Sequence, residues 1–196
     1  MHSASVLLIL FFQLVFAGAQ QPNPSTVNTS AVLSQSEDAY KIYSILIEKE
    51  FRDSVLSAES KVLITGETVR DWNVDPAKCI QVLSKRNPAF HSLIDDYRKK
   101  NVKPVQLERK FHLRSPYQLL PVAPTMKEST DTVIWRHETV ISFSAVGFSK
   151  DMSTALVYAE YSCGSLCAGG ELYIFKKFKG EWKEQSKSIE CGGWIS

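Results

Sequence analysis

The hydrophobic period of this chain changes near residue 105, and that change constrains the fold more than any single motif. Upstream, Ala39, Ile42, Tyr43, Leu46 and Ile47 recur at helical spacing, behind a Ser34 to Glu37 capping box. The spacing predicts a helix over residues 35–51. Residues 62–65 read as a short strand entering Gly66. Asp75-Pro76 and Asn87-Pro88 each join an N-cap residue to a proline suited to the first helical position. Two short helices are expected there, the second turning Phe90, Leu93, Ile94 and Tyr97 inward. Downstream the period falls to two: Leu107, Phe111 and Leu113 alternate with Glu108, Lys110 and His112, the pattern of a half-buried strand. Prolines at 116, 121 and 124 imply a loop to about residue 131. Further strands are expected near 139–148, 154–161, 171–178 and 181–187, with turns at Ser149-Lys150-Asp151 and Lys179-Gly180. Helices first and strands last imply an α+β fold, with N-terminal helices packed on one face of a C-terminal antiparallel meander.

The first nineteen residues read differently. Val6 to Phe16 is an apolar run of about half the length a membrane-spanning helix requires, and Ala17-Gly18-Ala19 closes it with a small-x-small cleavage site. The expected organisation is a signal peptide over 1–19, a flexible Pro/Ser/Thr/Asn/Gln-rich leader over 20–33, and a single α+β domain over 34–196. No transmembrane segment is expected after cleavage, which puts the mature protein in a secreted or periplasmic setting. Asn28-Thr29-Ser30 is a glycosylation sequon, relevant in a eukaryotic host.

Charge and cysteines narrow the chemistry. The formal net charge of +2 argues against nucleic acid as a partner, since phosphate binding needs a clustered basic surface. All four cysteines follow the signal, and an even count in an exported chain points to disulfides. Of three possible connectivities, Cys163 with Cys167 and Cys79 with Cys191 is favoured, because the first two share one Gly-containing loop. The same Cys163-Gly164-Ser165-Leu166-Cys167 stretch could alternatively carry a thiol redox pair or hold a soft metal. It lies between strands and has no helix N-terminus to lower a thiol pKa, which favours a structural bridge.

No catalytic constellation emerges. His91, His112 and His137 have no zinc-ligand spacing, no Gly-x-Ser-x-Gly turn is present, and no metal or cofactor is implied. Asp95-Asp96, Glu138, Glu160 and Glu171 are the candidate carboxylates, and Glu160 and Glu171 could approach each other across a hairpin as an acid/base pair. Trp135, His137 and Glu138 cluster in sequence as possible ligand contacts, although strand neighbours point to opposite faces. Trp194 near the C-terminus could stack on a sugar ring.

The last third of the chain resembles a group of exported bacterial domains with no known activity. The resemblance rests on Ser144, Val146-Gly147-Phe148, Ala155-Leu156-Val157-Tyr158, Cys163-Gly164, Leu166-Cys167, Gly170, Gly180-x-Trp182 and the terminal Trp194-Ile195-Ser196. Trp135, the Tyr43 helix and the strand reaching Thr68 match more loosely. Ala145 and Ala168 depart from the pattern, standing where such domains often carry a basic residue and a glycine. The resemblance implies an envelope or extracellular setting and supplies no chemistry. The expected function is a noncatalytic binding or envelope-associated protein with a protein, peptide or glycan ligand. The alternatives are a secreted hydrolase using a His/carboxylate site, and a thiol-disulfide or metal-binding protein acting through Cys163 and Cys167.

Overall fold

Helix α1 begins at Glu37, later than the start at residue 35 expected from a Ser34 capping box. Ser36 caps it by accepting a hydrogen bond from the Ala39 N–H, and the helix runs Glu37–Leu46 before widening into a π-helical turn, Ile47–Phe51. Its apolar stripe is buried. In this computed structural model the chain divides into Met1–Ser30 and Ala31–Ser196. The structure describes residues 35–52, 61–69, 81–83, 85, 87–121, 138–163, 167–187 and 194–195, all in the second unit. The signal and leader segments, Cys79 and Cys191, and the start of the helix expected at Asp75-Pro76 lie outside the described residues.

The strands are β1 (Val62–Thr65), β2 (Tyr117–Leu120), β3 (Val140–Phe143), β4 (Gly147–Phe148), β5 (Thr154–Ser162), β6 (Ala168–Phe178), β7 (Glu181–Lys187) and β8 (Trp194–Ile195). They form one sheet of order β2-β1-β3-β5-β6-β7, with β4 on β5 and β8 on β6. The fold is α+β. The meander is correct for β5-β6-β7, but the sheet is mixed, because β1 pairs in parallel with both β2 and β3. The second helix, α2 (His91–Lys100), follows a 3-10 turn at Pro88–Phe90 that Asn87 caps by accepting from the Ala89 N–H.

Alternation along β5 separates two cores. Ala155, Val157 and Ala159, with Tyr173 and Phe175 of β6, join Tyr40, Tyr43, Leu46 and Ile47 of α1. Leu156 and Tyr158, with Leu172 and Ile174, join Leu93, Ile94 and Tyr97 of α2. The two helices therefore contribute to cores on opposite faces, which corrects the expectation that helices cover one face only.

Two segments depart from their sequence patterns for a shared reason: side chains replace strand partners. Residues 105–113 alternate as expected, with Leu107 and Phe111 buried, yet form no strand beyond a single bridge of Gln106 to Glu67. Their backbone donors go partly to the chain just after β1, Val105 to the Thr68 hydroxyl and Leu107 to the Gly66 carbonyl, and partly to α1, Glu108 to the Tyr40 hydroxyl and His112 to the Ser44 hydroxyl. The expected strand 139–148 is interrupted at Ser144-Ala145-Val146. There the Ser144 hydroxyl accepts the Tyr158 N–H, the Tyr43 hydroxyl donates to the Ser144 carbonyl at 2.9 Å, and the Asn101 amide engages Ala145 as a peptide group does, donating to its carbonyl and accepting its N–H. Buried backbone in a broken strand needs such partners. Gly147 then lets β4 lie directly on α2, since a Cβ there would stand 2.5 Å from the Tyr97 Cβ. The third departure is β2, which occupies the expected loop.

Candidate functional site

Tyr40 and Ser44 of α1 and Glu48 of the π-helical turn follow at four-residue steps, so the three stack along one line beneath the extended segment alongside. Each accepts a backbone N–H from the extended segment alongside: Glu108 to the Tyr40 hydroxyl at 2.7 Å, His112 to the Ser44 hydroxyl at 2.9 Å, and Arg114 to the Glu48 carboxylate at 2.8 Å. This laces residues 105–114 to the helix and makes one wall of a cleft. The β6-β7 hairpin closes the other side with Glu181 and Trp182. The cleft has a volume of about 570 Å³, within the range of small-ligand sites.

Its walls carry both signs of charge, from Glu37, Lys41, Glu48, Lys49, Arg114 and Glu181, while Ile45 and Trp182 supply apolar surface. Glu48 is held in a two-pronged ion pair, accepting from Arg52 Nε and Nη2 at 3.0 Å each. Partial burial opposes its charge, but Arg52 and the Arg114 N–H outweigh that and keep its carboxyl below the ordinary range. Asp38, in the first turn of α1 at the opposite end, behaves alike: burial raises its pKa, and Lys177 at 2.7 Å with the Trp182 indole brings it down below the usual value. Trp182 is 4% exposed, and its Nε1 is the one buried side-chain polar atom among the described residues that makes no hydrogen bond. The indole N–H lies close enough to Asp38 to favour the carboxylate charge without bonding to it.

Ser44, His112 and Glu37 meet here with the composition of a hydrolytic triad and none of its geometry. The Ser44 hydroxyl donates back to the Tyr40 carbonyl at 2.7 Å and accepts the backbone N–H of His112, not its ring. The His112 Nε2 contacts Glu37 Oε1 at 3.2 Å with the two side chains 64% and 60% exposed, so water screens the pair. Nothing here presents an activated nucleophile.

The sequence-selected ligand contacts are described only in part. Glu138 is exposed ahead of β3, while Trp135 and His137 lie outside the described residues. Trp194 is placed by its backbone on β8 opposite Gly170. Glu160 pairs in register with Gly170 and Glu171 with Ala159, so the two carboxylates project to opposite faces. That corrects the acid/base pair proposed for them. Glu160 instead accepts from the Tyr158 hydroxyl at 2.9 Å. Asp95 is exposed, whereas Asp96 accepts the Phe148 N–H and pairs with Lys100. His91 is exposed at the start of α2. The sulfurs of Cys163 and Cys167 lie at disulfide distance, and the Cys163 N–H donates to the Cys167 carbonyl at 2.6 Å, closing the loop.

Sequence reasoning passed over the Tyr40-Ser44-Glu48 line. The available signal was a column of hydrogen-bonding side chains, four residues apart, beside the apolar stripe. Among the described residues no group of three His, Cys, Asp or Glu side chains is placed to hold a metal, and no helix is long and apolar enough to cross a membrane. The chain matches no protein-family model, no curated protein and no solved structure.

Proposed function

We propose that this chain is an exported, noncatalytic binding protein of the secreted or periplasmic space, using the cleft between α1 and the β6-β7 hairpin to hold a peptide segment. The N-terminal helices on the sheet are its scaffold, and the resemblance to exported bacterial domains supports the setting. The observation that carries the binding reading is the cleft itself, about 570 Å³ in volume, where Ile45 and Trp182 supply apolar surface between side chains of both charges. Flanking Lys41, Lys49, Glu37 and Glu181 suit a segment carrying both charges. Ser44, the one hydroxyl near His112, is engaged twice already, which supports binding over hydrolysis.

The test is a nitrogen-15 chemical-shift titration of the secreted protein with synthetic mixed-charge peptide pools. The expected result is a saturable shift of the Trp182 indole N–H together with Ile45 and Lys49, weakened by Glu181→Lys. Pools that leave the indole resonance fixed refute the peptide reading. Turnover of ester or peptide substrates that disappears in His112→Ala establishes the hydrolase in its place.

A further inference from the structure

The β4-β5 turn and the β6-β7 turn sit side by side at one end of the sheet. Thr154 at the start of β5 pairs with Lys176 near the end of β6, and the Lys177 N–H donates to the Ser153 carbonyl at 2.8 Å. Each turn lifts an apolar side chain into solvent: Met152 is 41% exposed and Phe178 57%. Both turns are tightly formed. Met152 and Lys179 adopt φ values of 55° and 50°, and Asp151 accepts from Ser149 and Ser153, which hold its carboxyl down at about 2. Lys150, Lys176, Lys179 and Lys183 are exposed around these tips, and the Nζ atoms of Lys179 and Lys183 stand 5.5 and 5.3 Å from the centroid of the Phe178 ring. Asp151 and Glu181 share this end, and Asp95 and Asp96 lie with Lys99 and Lys100 in a pocket that Lys150 and Met152 border. Asp151 is turned back onto its own loop.

Lysine on an edge strand such as β7 guards against pairing with another chain, and that accounts for Lys183. It does not account for an exposed phenyl ring and thioether at the tips. A protruding apolar point with a collar of ammonium groups fits a bilayer interface, where aromatic side chains enter the headgroup region and lysines meet anionic headgroups. A soluble polyanion gives the phenyl ring nothing to enter.

We propose that this end of the sheet, Met152 and Phe178 collared by Lys150, Lys176, Lys179 and Lys183, docks on an anionic lipid bilayer. The surface is separate from the cleft, because none of these six residues lines it, so the proposal stands or falls independently of the peptide reading. The experiment is co-sedimentation of the full secreted protein with vesicles of phosphatidylglycerol and phosphatidylcholine, against phosphatidylcholine alone. Binding to the anionic vesicles is expected, falling as salt is added. Removing one lysine, as in Lys179→Ser or Lys183→Ser, lowers the partition coefficient roughly fivefold. Phe178→Ser lowers it about tenfold through lost apolar insertion. All these positions are exposed, and an unchanged circular dichroism spectrum verifies the fold. Equal sedimentation with both vesicle types, or none with either, overturns the proposal. If the lysine variants lose binding and Phe178→Ser keeps it, the patch recognises polyanions in general and lipid docking is wrong.

Discussion

Replacing Gly147 by alanine tests whether α2 and β4 lie as close as the structure has them. The added methyl would stand 2.5 Å from the Tyr97 Cβ, 2.6 Å from its Cα and 2.7 Å from its backbone nitrogen. Carbon atoms are comfortable at about 3.5–4.0 Å, so the helix must retreat by about 1 Å, and no rotamer change relieves a clash with backbone. Overpacking of that kind costs about 1–3 kcal/mol. The retreat also stretches the Phe148 N–H to Asp96 bond, now 2.7 Å, and the paired Asn101 to Ala145 bonds at 2.8 and 2.9 Å, each worth about 1 kcal/mol. Together the loss is about 5 kcal/mol, a large part of the 5–15 kcal/mol of an ordinary domain. In urea, with a slope of about 2 kcal/mol per molar, the midpoint falls by about 2.5 M. Gly180→Ala is the control: its φ is +86° with nothing within 4 Å of the new methyl, so its cost is conformational, about 1–2 kcal/mol. A Gly147→Ala protein as stable as its parent, or no less stable than Gly180→Ala, would refute the close approach.

Three further outcomes follow from the same contacts. Tyr43→Phe removes the hydroxyl that satisfies the buried Ser144 carbonyl and destabilises the protein by about 1–2 kcal/mol, read from the urea midpoint. Glu48 has a folded pKa below its ordinary value, so its contribution is present above the carboxylate range and disappears as pH falls through that depressed pKa. Glu48→Gln therefore lowers the melting temperature at neutral pH, and the gap from wild type narrows on acidification; a gap independent of pH counts against the assignment. Cys163→Ser with Cys167→Ser opens a short loop and costs about 2 kcal/mol on the loop-entropy estimate, leaving the far-ultraviolet spectrum of the sheet intact. Alkylation of either thiol in the secreted protein before reduction would contradict the bridge.

What the sequence disclosed depended on where each backbone group found its partner. The α1 stripe, the Asn87 cap and the two turns were legible because their signals are local. The pattern at 105–113 reports burial, and burial is correct there: Leu107 and Phe111 are inside. Alternation does not say whether the donors are met by a strand or by Tyr40, Ser44 and Glu48 reaching across from a helix. Conversely, Pro116 and Pro121 bracket β2 without breaking it, because proline is tolerated at the ends of an edge strand. The parallel pairing of β1 with β2 joins segments more than fifty residues apart, and no local signal encodes it.

The same distinction separates scaffold from function. Tyr43, Ser144, Gly147 and Tyr158 are occupied by the joint: a hydroxyl on a carbonyl, a hydroxyl in place of a ladder partner, a glycine under a helix, an N–H on a side chain. Residues engaged in this way inform the architecture and are silent about ligands. The groups that border the two candidate surfaces stand elsewhere, in Trp182 on the cleft wall and in the exposed ring of Phe178, four residues apart across one turn. One hairpin, β6-β7, thus lines the cleft with an indole and lifts an apolar tip into solvent. Because Trp182 is paired with Lys177 and Phe178 with Glu181, the strand alternation sends them to opposite faces. Substituting Phe178 therefore leaves peptide titration at Trp182 unchanged, and substituting Glu181, which borders both surfaces, alters the two activities together.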